Sequence, residues 1–324
     1  MNRMQVEPHA ITCGWISRNE RRAIISLAAI TTLLVAALVQ QVRSQVSHQP
    51  VREQPGSRLA NHTYQNTPYQ TIFYHNRDLK IEAYYYKPEG NGPFPLVIYN
   101  HGSRAGAERR EVPFLYVANV LRNNGYAVLV PERRGYGLSD GPTFTEEVGN
   151  DVSDRMMRRF HEEASDVLAG LDFLKHGNSG RSDADQIDFR HVAIMGWSHG
   201  GIISLVTAGE RHDFVALIDQ AGGALTWNRS PTLQRELPEV ARKIKIPALC
   251  MDAQNDATTN AVREVGDAVK ASGEWEKTII YPPFTPATNP ANIAPGHLIF
   301  GIAGISLWQN DMLSFLSEHV RSGH

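Results

Sequence analysis

The segment Gly196–Gly200 has the sequence Gly-Trp-Ser-His-Gly and places a serine in the G-x-S-x-G spacing. Such a serine becomes a nucleophile when it lies on a sharp turn between a strand and a helix, because the turn exposes its hydroxyl. Side chains at the two glycine positions would collide with each other or with neighbouring backbone. The pattern therefore predicts nucleophilic catalysis, in which Ser198 attacks a carbonyl carbon and forms an acyl-enzyme.

The residues on either side of Ser198 predict the required strand, turn and helix. His191–Met195 is a mostly apolar run with the length of a buried strand, and Gly200–Ala208 has the character of a helix. The free N–H groups at the start of that helix would face the negative charge that develops during attack. We therefore expect the N–H of His199 to form one half of an oxyanion hole.

A second N–H donor is predicted in the loop Asn100–Ser103, which follows the apolar strand Pro95–Tyr99. In enzymes with this kind of serine turn, that loop supplies the other oxyanion N–H, so Ser103 is the second candidate. Trp197 and Tyr136 are candidates for substrate binding, although Trp197 is equally suited to packing beneath the turn.

An acid and a histidine follow Ser198 in chain order. The apolar strand Ala248–Met251 runs into two aspartates, Asp252 and Asp256, and His297 lies after the last predicted strand. The carboxyl ends of parallel strands meet at one edge of a sheet, which would bring these groups together. The order Ser, acid, His accompanies this kind of serine turn, so a catalytic triad is predicted. Such a triad requires no metal and no cofactor.

The choice between the two acids depends on strand geometry. Asp252 belongs to the strand end, where the side-chain direction is fixed and an unpaired carboxylate is costly to bury. We interpret Asp252 as a turn residue that bonds nearby backbone N–H groups. Asp256, on the turn beyond the strand, is the preferred partner of His297.

Apolar runs from Thr71 onward alternate between the two-residue period of strands and the longer period of helices. Strands separated by helices predict right-handed crossover units and an α/β fold. The expected architecture is a mostly parallel sheet of about eight strands with helices on both faces and no large lid. The predicted strands are Thr71–Tyr74, Leu79–Lys87, Pro95–Tyr99, Tyr126–Val130, His191–Met195, Val215–Ile218, Ala248–Met251 and Lys277–Tyr281, and the predicted helices are Val112–Leu121, Phe160–Leu174, Gly200–Ala208, Asn260–Ala271 and Ile305–Val320.

The surroundings of the site are expected to be open. The connection between the strands near Asp219 and Ala248 is too short for a large lid domain. Two other segments, Thr143–Arg159 and Pro282–Ala294, are predicted to form its wall and rim. An open site suits short esters or lactones better than long-chain lipids.

Four motifs carry a resemblance to a known superfamily: Val97–Ser103, Arg134–Gly141, Gly196–Gly201 and Gly296–His297. With these motifs, the chain from about Tyr64 onward resembles the α/β-hydrolases, and it is most similar to their dienelactone-hydrolase-like and prolyl-oligopeptidase-like branches. The resemblance implies an α/β-hydrolase fold and hydrolysis of carboxylic esters or lactones. It also implies Asp256 as the acid, because the acid of this superfamily commonly follows a small residue, here Ala253, by three positions. Dienelactone hydrolases carry cysteine where this chain has Ser198.

Two other functions remain open. Gly196–Gly201 also resembles the serine turn of dipeptidyl-peptidase-like enzymes, so a serine peptidase of the prolyl-oligopeptidase-like type is one alternative. Against it, no acidic pair that would grip a peptide amine is evident in the sequence. A catalytically inactive binding protein of the same fold is the other alternative, and the intact Ser198, Asp256 and His297 argue against it.

Composition argues against several other classes of protein. The 32 basic and 34 acidic side chains give a formal net charge of -2, so no global field would attract nucleic acid. Cys13 and Cys250 lie far apart without zinc-ligand spacing, and Cys250 is expected to be a buried strand thiol. Arg133 and Arg134 could clamp an acidic substrate, but a buried structural ion pair is the favoured interpretation. The expected partner is a small-molecule ester, and the sequence does not predict the oligomeric state.

The N-terminal region differs in composition from the rest of the chain. Ala23–Val39 is uncharged and mostly apolar, and it lies between basic and polar residues. At about 1.5 Å per residue the run spans about 25 Å, slightly less than the core of a bilayer. Residues 1–44 are therefore predicted to be an export signal or a membrane anchor, residues 45–64 a flexible linker and residues 65–324 the catalytic domain. The protein would then work in the periplasm or outside the cell, either released or attached to the membrane through the apolar run.

Overall fold

The computed structural model describes residue 64 and residues 66–176 and 186–321. Within this part of the chain, no helix is both long and apolar enough to cross a membrane. The predicted export signal or anchor at Ala23–Val39 lies outside the described residues, as does almost all of the predicted linker at residues 45–64. Both stay predictions.

An eight-stranded sheet forms the centre of the described fold. Its strands are β1 (Gln70–Asn76), β2 (Leu79–Tyr86), β3 (Phe94–Asn100), β4 (Ala127–Glu132), β5 (Ile187–Trp197), β6 (Ala216–Gln220), β7 (Ala248–Ala253) and β8 (Glu276–Tyr281). Their spatial order is β1-β2-β4-β3-β5-β6-β7-β8. The pairs β1–β2 and β2–β4 are antiparallel, and all other neighbours are parallel. The predicted α/β fold with a mostly parallel sheet is confirmed.

Helices connect the parallel strands. They are α1 (Leu115–Asn123), α2 (Phe144–Glu147), α3 (Asp154–His176), α4 (His199–Glu210), α5 (Pro231–Ala241), α6 (Asn260–Ala271) and α7 (Ile305–Leu316). Short 3-10 turns occupy Trp227–Arg229 and Pro295–Phe300. Helix α7 ends earlier than predicted, because a π turn at Ser317–Arg321 takes over its last residues.

Two apolar clusters lie on the two faces of the sheet. In β3, Leu96 and Ile98 belong to one cluster and Val97 and Tyr99 to the other, as the two-residue period of a strand requires. Helices α3, α4, α5 and α6 contribute buried side chains to the first cluster, and α1 and α7 contribute to the second. Because both faces are covered, the central strands appear in the sequence as continuous apolar runs.

Helices α2 and α5 are absent from the sequence-based prediction. Helix α2 begins with a capping box, in which Thr143 accepts the N–H of Glu146 and the Glu146 side chain accepts the N–H of Thr143. Helix α5 begins after Ser230, whose hydroxyl accepts the N–H of Leu233, and has Pro231 in its first turn. The sequence signal for these helices therefore lies in their caps and not in apolar periodicity.

Candidate active site

Ser198 lies on the sharp turn between β5 and α4. Its backbone has φ 58° and ψ -119°, a conformation that costs a non-glycine residue energy. A Cβ on Gly196 would lie 2.1 Å from the carbonyl oxygen of Gly200, and one on Gly200 would lie 1.9 Å from that of Asn100. No side chain fits either position, so the two glycines of the motif are required by close approach of backbone.

The loop after β3 passes directly beside Ser198. A Cβ on Gly102 would lie 3.5 Å from the Cβ of Ser198, and the adjacent Ser103 lines the same cavity as Ser198 and His199. His199 is the first residue of α4, so its N–H is not used by the helix. The structure therefore brings the two predicted oxyanion residues, Ser103 and His199, to the cavity that contains the predicted nucleophile.

His297 and Asp256 form a buried pair. The Nδ1 atom of His297, in the 3-10 turn Pro295–Phe300, lies 2.6 Å from Oδ2 of Asp256. The side chains are 2% and 0% exposed, respectively. A carboxylate accepts but does not donate, so Nδ1 of the neutral ring carries the proton. The Nε2 atom is buried and has no hydrogen-bond partner among the described residues, which leaves it free to accept a proton.

Asn255 connects the turn that carries Asp256 to the segment that carries His297. Its side chain accepts the N–H of Phe284 at 2.8 Å and donates to the carbonyl of Phe284 at 2.9 Å. Its backbone carbonyl accepts the N–H of Gly296 at 3.3 Å. Asp256 and His297, the predicted acid and base, are thus fixed relative to each other by backbone contacts as well as by their own hydrogen bond.

The two predicted substrate-binding residues do not line the cavity beside Ser198. Trp197 donates its indole N–H to the carbonyl of His297 at 3.1 Å, and its ring packs 5.7 Å from the His297 ring. Tyr136 is fully buried, with its ring 4.7 Å from that of His101 and under the guanidinium of Arg133. The structure therefore places Trp197 against His297 and Tyr136 in the interior.

A buried network of charges lies behind the turn that carries Ser198. Glu163, on α3, accepts from Nε of Arg133 at 2.7 Å, from Nε of Arg159 at 2.9 Å and from Nε2 of His199 at 2.9 Å. All four side chains are buried. Since His199 directly follows Ser198, the network connects α3 and β4 to the first turn of α4 and fixes the backbone of the predicted oxyanion hole.

The charges in this network determine each other's protonation. Burial alone would raise the pKa of Glu163, but His199, Arg133 and Arg159 outweigh burial and hold that pKa well below its ordinary value. Burial lowers the pKa of His199, although Glu163 opposes the shift. Glu163 is therefore ionised at neutral pH, and His199 is a neutral ring that donates to it.

Removing the Glu163 charge is expected to destabilise the fold. Glu163→Gln leaves Arg133 and Arg159 buried without their shared carboxylate, at a cost of about 3–5 kcal/mol in the free energy of unfolding. The folded-state pKa of Glu163 is depressed, so its contribution is present at neutral pH and is lost as the pH falls through that pKa. Urea denaturation at several pH values measures both effects.

Glu162→Gln is the matched control. Glu162 is the preceding residue, its side chain is 46% exposed, and it pairs with Arg134 at 2.8 Å. Because an exposed ion pair contributes little, this variant is expected to change the free energy of unfolding by less than about 1 kcal/mol. Equal losses in the two variants would contradict a special role for the buried network.

The arginines singled out in the sequence are both used in ion pairs. Arg133 is fully buried against Glu163, and the Nε of Arg134 lies 2.9 Å from Asp166. This agrees with their interpretation as structural residues. Arg159 and Glu163, by contrast, are absent from the predicted site residues. Their four-residue spacing on one helix face was the available signal, because such a spacing forms ion pairs.

A cavity of about 350 Å³ opens beside Ser198. Apolar side chains make up much of its lining: Phe144, Val152, Met156, Phe160, Ile202 and Leu225. The predicted wall Thr143–Arg159 supplies several lining residues, whereas residues 282–294, all within the described part of the chain, do not line this cavity. The connection from β6 to β7 contains the 3-10 turn Trp227–Arg229 and α5, in agreement with the predicted lack of a large lid.

The described residues offer no evident metal site. Across residues 66–176 and 186–321, no three histidine, cysteine, aspartate or glutamate side chains are grouped as ligands of a metal ion. Cys250 is a buried free thiol on β7, as the sequence predicts. Its burial raises the pKa of the thiol well above the ordinary value, so it is a structural residue of the core.

Solved structures share this fold. An acylaminoacyl peptidase of Pyrococcus horikoshii superposes with a TM-score of 0.60 at 18% identity, covering 83% of this chain and 44% of that one. A dienelactone hydrolase of Anabaena variabilis gives a TM-score of 0.54 at 21% identity, covering 78% and 99%. An esterase of Pyrococcus furiosus gives 0.56 at 16% identity, covering 84% and 97%. These matches confirm the predicted fold.

Sequence comparisons match the chain to a relative and to a family model. The quorum-quenching protein AidA of Acinetobacter baumannii (strain MDR-ZJ06) is 26% identical over 182 residues, which are 55% of this chain and 53% of that protein. The chain thus spans about half the length of this relative. The sequence model of the acetyl xylan esterase family (AXE1) matches residues 32–221, more than half of the 324 residues, and the match includes Ser198. The chain therefore belongs to the acetyl xylan esterase (AXE1) family, within the α/β-hydrolase superfamily.

Proposed function

We propose that this chain hydrolyses carboxylic esters or lactones through a triad of Ser198, Asp256 and His297. The observation that carries the proposal is the hydrogen bond of 2.6 Å between Nδ1 of His297 and Asp256, which leaves Nε2 as the proton acceptor. The strained turn that exposes Ser198 and the family of the chain support the same chemistry.

The proposed reaction proceeds in two steps. His297 takes the proton of Ser198, and the serine oxygen attacks the carbonyl carbon of the ester. The N–H groups of His199 and Ser103 stabilise the oxyanion, and the imidazolium then protonates the departing alcohol. Water, activated by the same His297, attacks the acyl-enzyme and releases the acid. Asp256 keeps the ring in the required tautomer and stabilises its cation.

The lining of the cavity supports a short acyl group as the preferred substrate. Phe144, Phe160 and Ile202 surround the space next to Ser198, so a hydrocarbon acyl chain would lose contact with water there. A volume of about 350 Å³ is at the low end for ligand pockets. The family name, acetyl xylan esterase, also refers to a short acyl group, the acetyl group.

A panel of activated substrates tests this proposal. We expect p-nitrophenyl esters with acyl chains of about two to six carbons to be hydrolysed, with kcat/KM falling for longer chains that exceed the cavity. Aminoacyl-arylamides assayed in parallel represent the peptidase alternative and are expected to react far more slowly. Faster turnover of the arylamides would instead favour a serine peptidase. No turnover of any substrate would favour the inactive binding protein.

A further inference from the structure

Asp252, at the end of β7, is a carboxyl group without access to solvent. Its Oδ1 accepts the N–H of Ala253 at 2.7 Å, as expected for a turn residue. Its Oδ2 is buried and has no ordinary donor among the described residues. Asp256 follows on a turn closed by its own N–H on the carbonyl of Ala253 at 3.0 Å, and after burial its carboxyl acts most strongly on that of Asp252. Two ionised carboxylates that are buried next to each other repel strongly. One carboxyl of the pair Asp252 and Asp256 therefore carries a proton.

The contacts of the two carboxyls decide which one is protonated. Asp256 accepts from Nδ1 of His297 at 2.6 Å and from the N–H of Ala257 at 2.5 Å, so a donor already faces each of its oxygens. Asp252 accepts from one backbone N–H and forms no ion pair among the described residues. Burial, followed by the charge of Asp256, raises the pKa of Asp252 well above the ordinary value. The proton therefore resides on Asp252.

We propose that Asp252 is a positioning residue, which donates a hydrogen bond from its protonated carboxyl to Asp256 and so holds the carboxylate that orients His297. The inference rests on the proposed function of Asp256 and His297. It extends the proposed triad by one buried group: Asp252 donates to Asp256, and Asp256 accepts from Nδ1 of His297. Asp252 does not contact the substrate.

The neighbouring strands reinforce the protonated state of Asp252. On β6, Asp219 is fully buried, accepts the N–H of Gly222 at 2.9 Å and repels a charge on Asp252. Burial raises the pKa of Asp219 itself to about 7. On β8, the residue paired with Asp252 is the apolar Ile280. The charged groups that act most strongly on Asp252 are thus the carboxyls of Asp256 and Asp219.

Two substitutions in the full chain test the hydrogen bond. Asp252→Ala removes the donor, and kcat/KM for a p-nitrophenyl ester is expected to fall about tenfold. Asp252→Asn places an amide N–H in the same position. The amide donates a hydrogen bond and, like the protonated carboxyl, carries no charge. It is expected to recover most of the loss. An alanine variant as active as the wild type, or an asparagine variant as impaired as the alanine variant, would overturn the proposal.

The acid limb of the pH profile distinguishes a protonated Asp252 from an ionised one. This limb reports the groups that the reaction needs in their basic form. If Asp252 is protonated, Asp252→Asn removes no charge and the limb should move by less than about 0.3 pH units. If Asp252 were ionised, the substitution would remove a negative charge near His297 and shift the limb downward by about one unit. A downward shift of that size contradicts the proposal.

A denaturation measurement tests the protonation of Asp252 without an activity assay. The folded-state pKa of Asp252 is raised, so its proton is kept in the folded protein and lost on unfolding above about pH 4. The denaturation midpoint of the wild type should therefore fall relative to that of Asp252→Asn as the pH rises from 5 to 8. A constant difference would overturn the proposal. The pH dependence of the denaturation midpoint does not depend on catalysis by Ser198. An inactive wild type would show that the proposed function is wrong, and the folding measurement would still decide the protonation of Asp252.

Discussion

Replacing Ser198 by alanine is expected to lower the turnover of an activated ester by about 10⁴-fold or more and to abolish labelling by a fluorophosphonate. The reason is that the other members of the triad act only through this hydroxyl, and alanine leaves His297 with no proton to take. The backbone turn at position 198 accepts alanine as readily as serine, since both carry a Cβ. The variant should therefore remain folded, which circular dichroism and thermal denaturation will show.

Ser314→Ala serves as the control for Ser198→Ala. Ser314 is an exposed serine on α7 and does not line the cavity beside Ser198. Labelling and turnover are expected to persist in this variant. If the Ser198 variant were still labelled by the fluorophosphonate, another serine would be the nucleophile, whereas the fold and family of the chain would stand unchanged.

Asp256→Asn is expected to reduce kcat by about 10³- to 10⁴-fold with little loss of stability. The amide keeps the shape of the carboxyl, but its N–H group can donate to Nδ1 of His297. That contact favours the tautomer with the proton on Nε2, which cannot accept the proton of Ser198. Kinetics of the purified variant on a p-nitrophenyl ester, with a denaturation curve for stability, measure both parts of the expectation.

The same substitution at the neighbouring carboxyl provides the comparison. Asp252→Asn is expected to keep most of the turnover, because a neutral amide replaces a neutral carboxylic acid. A kinetic collapse at position 252 together with survival at position 256 would reverse the assignment of the acid. In that outcome the buried pair His297–Asp256 would be a structural contact only.

Local sequence patterns were sufficient to predict the eight strands of the sheet and their alternation with helices along the chain. Strands such as β3 and β4 lie between two covered faces, so burial alone makes them continuous apolar runs. Helix α3 begins at Asp154, whereas the predicted helix begins at Phe160. Its first turns are rich in arginine, and Arg159 is buried there between Glu163 on the same helix and Glu147 on α2. A periodicity argument counts such a residue as solvent-facing.

The site was predictable to the extent that its geometry is local. The nucleophile turn depends on Gly196 and Gly200, which the motif itself contains. The position of Tyr136 depends on packing against the ring of His101, which is distant in the chain, so its residue type and motif gave no indication that it is buried. Trp197 was assigned two alternatives, and only the hydrogen bond to the carbonyl of His297 distinguishes a supporting role from a lining one.

The hydrogen bonds of Asn255 have a consequence for how this family can diversify. Phe284 and Gly296, near the two ends of the segment that precedes His297, are both anchored to this one residue. Because the ends are fixed close together, insertions or deletions between them extend or shorten a surface excursion without displacing the base. Residues 285–293 are therefore expected to accept changes of sequence and length, whereas Ala294, whose carbonyl accepts the N–H of His297 at 3.1 Å, belongs to the part that must be kept in an engineered library.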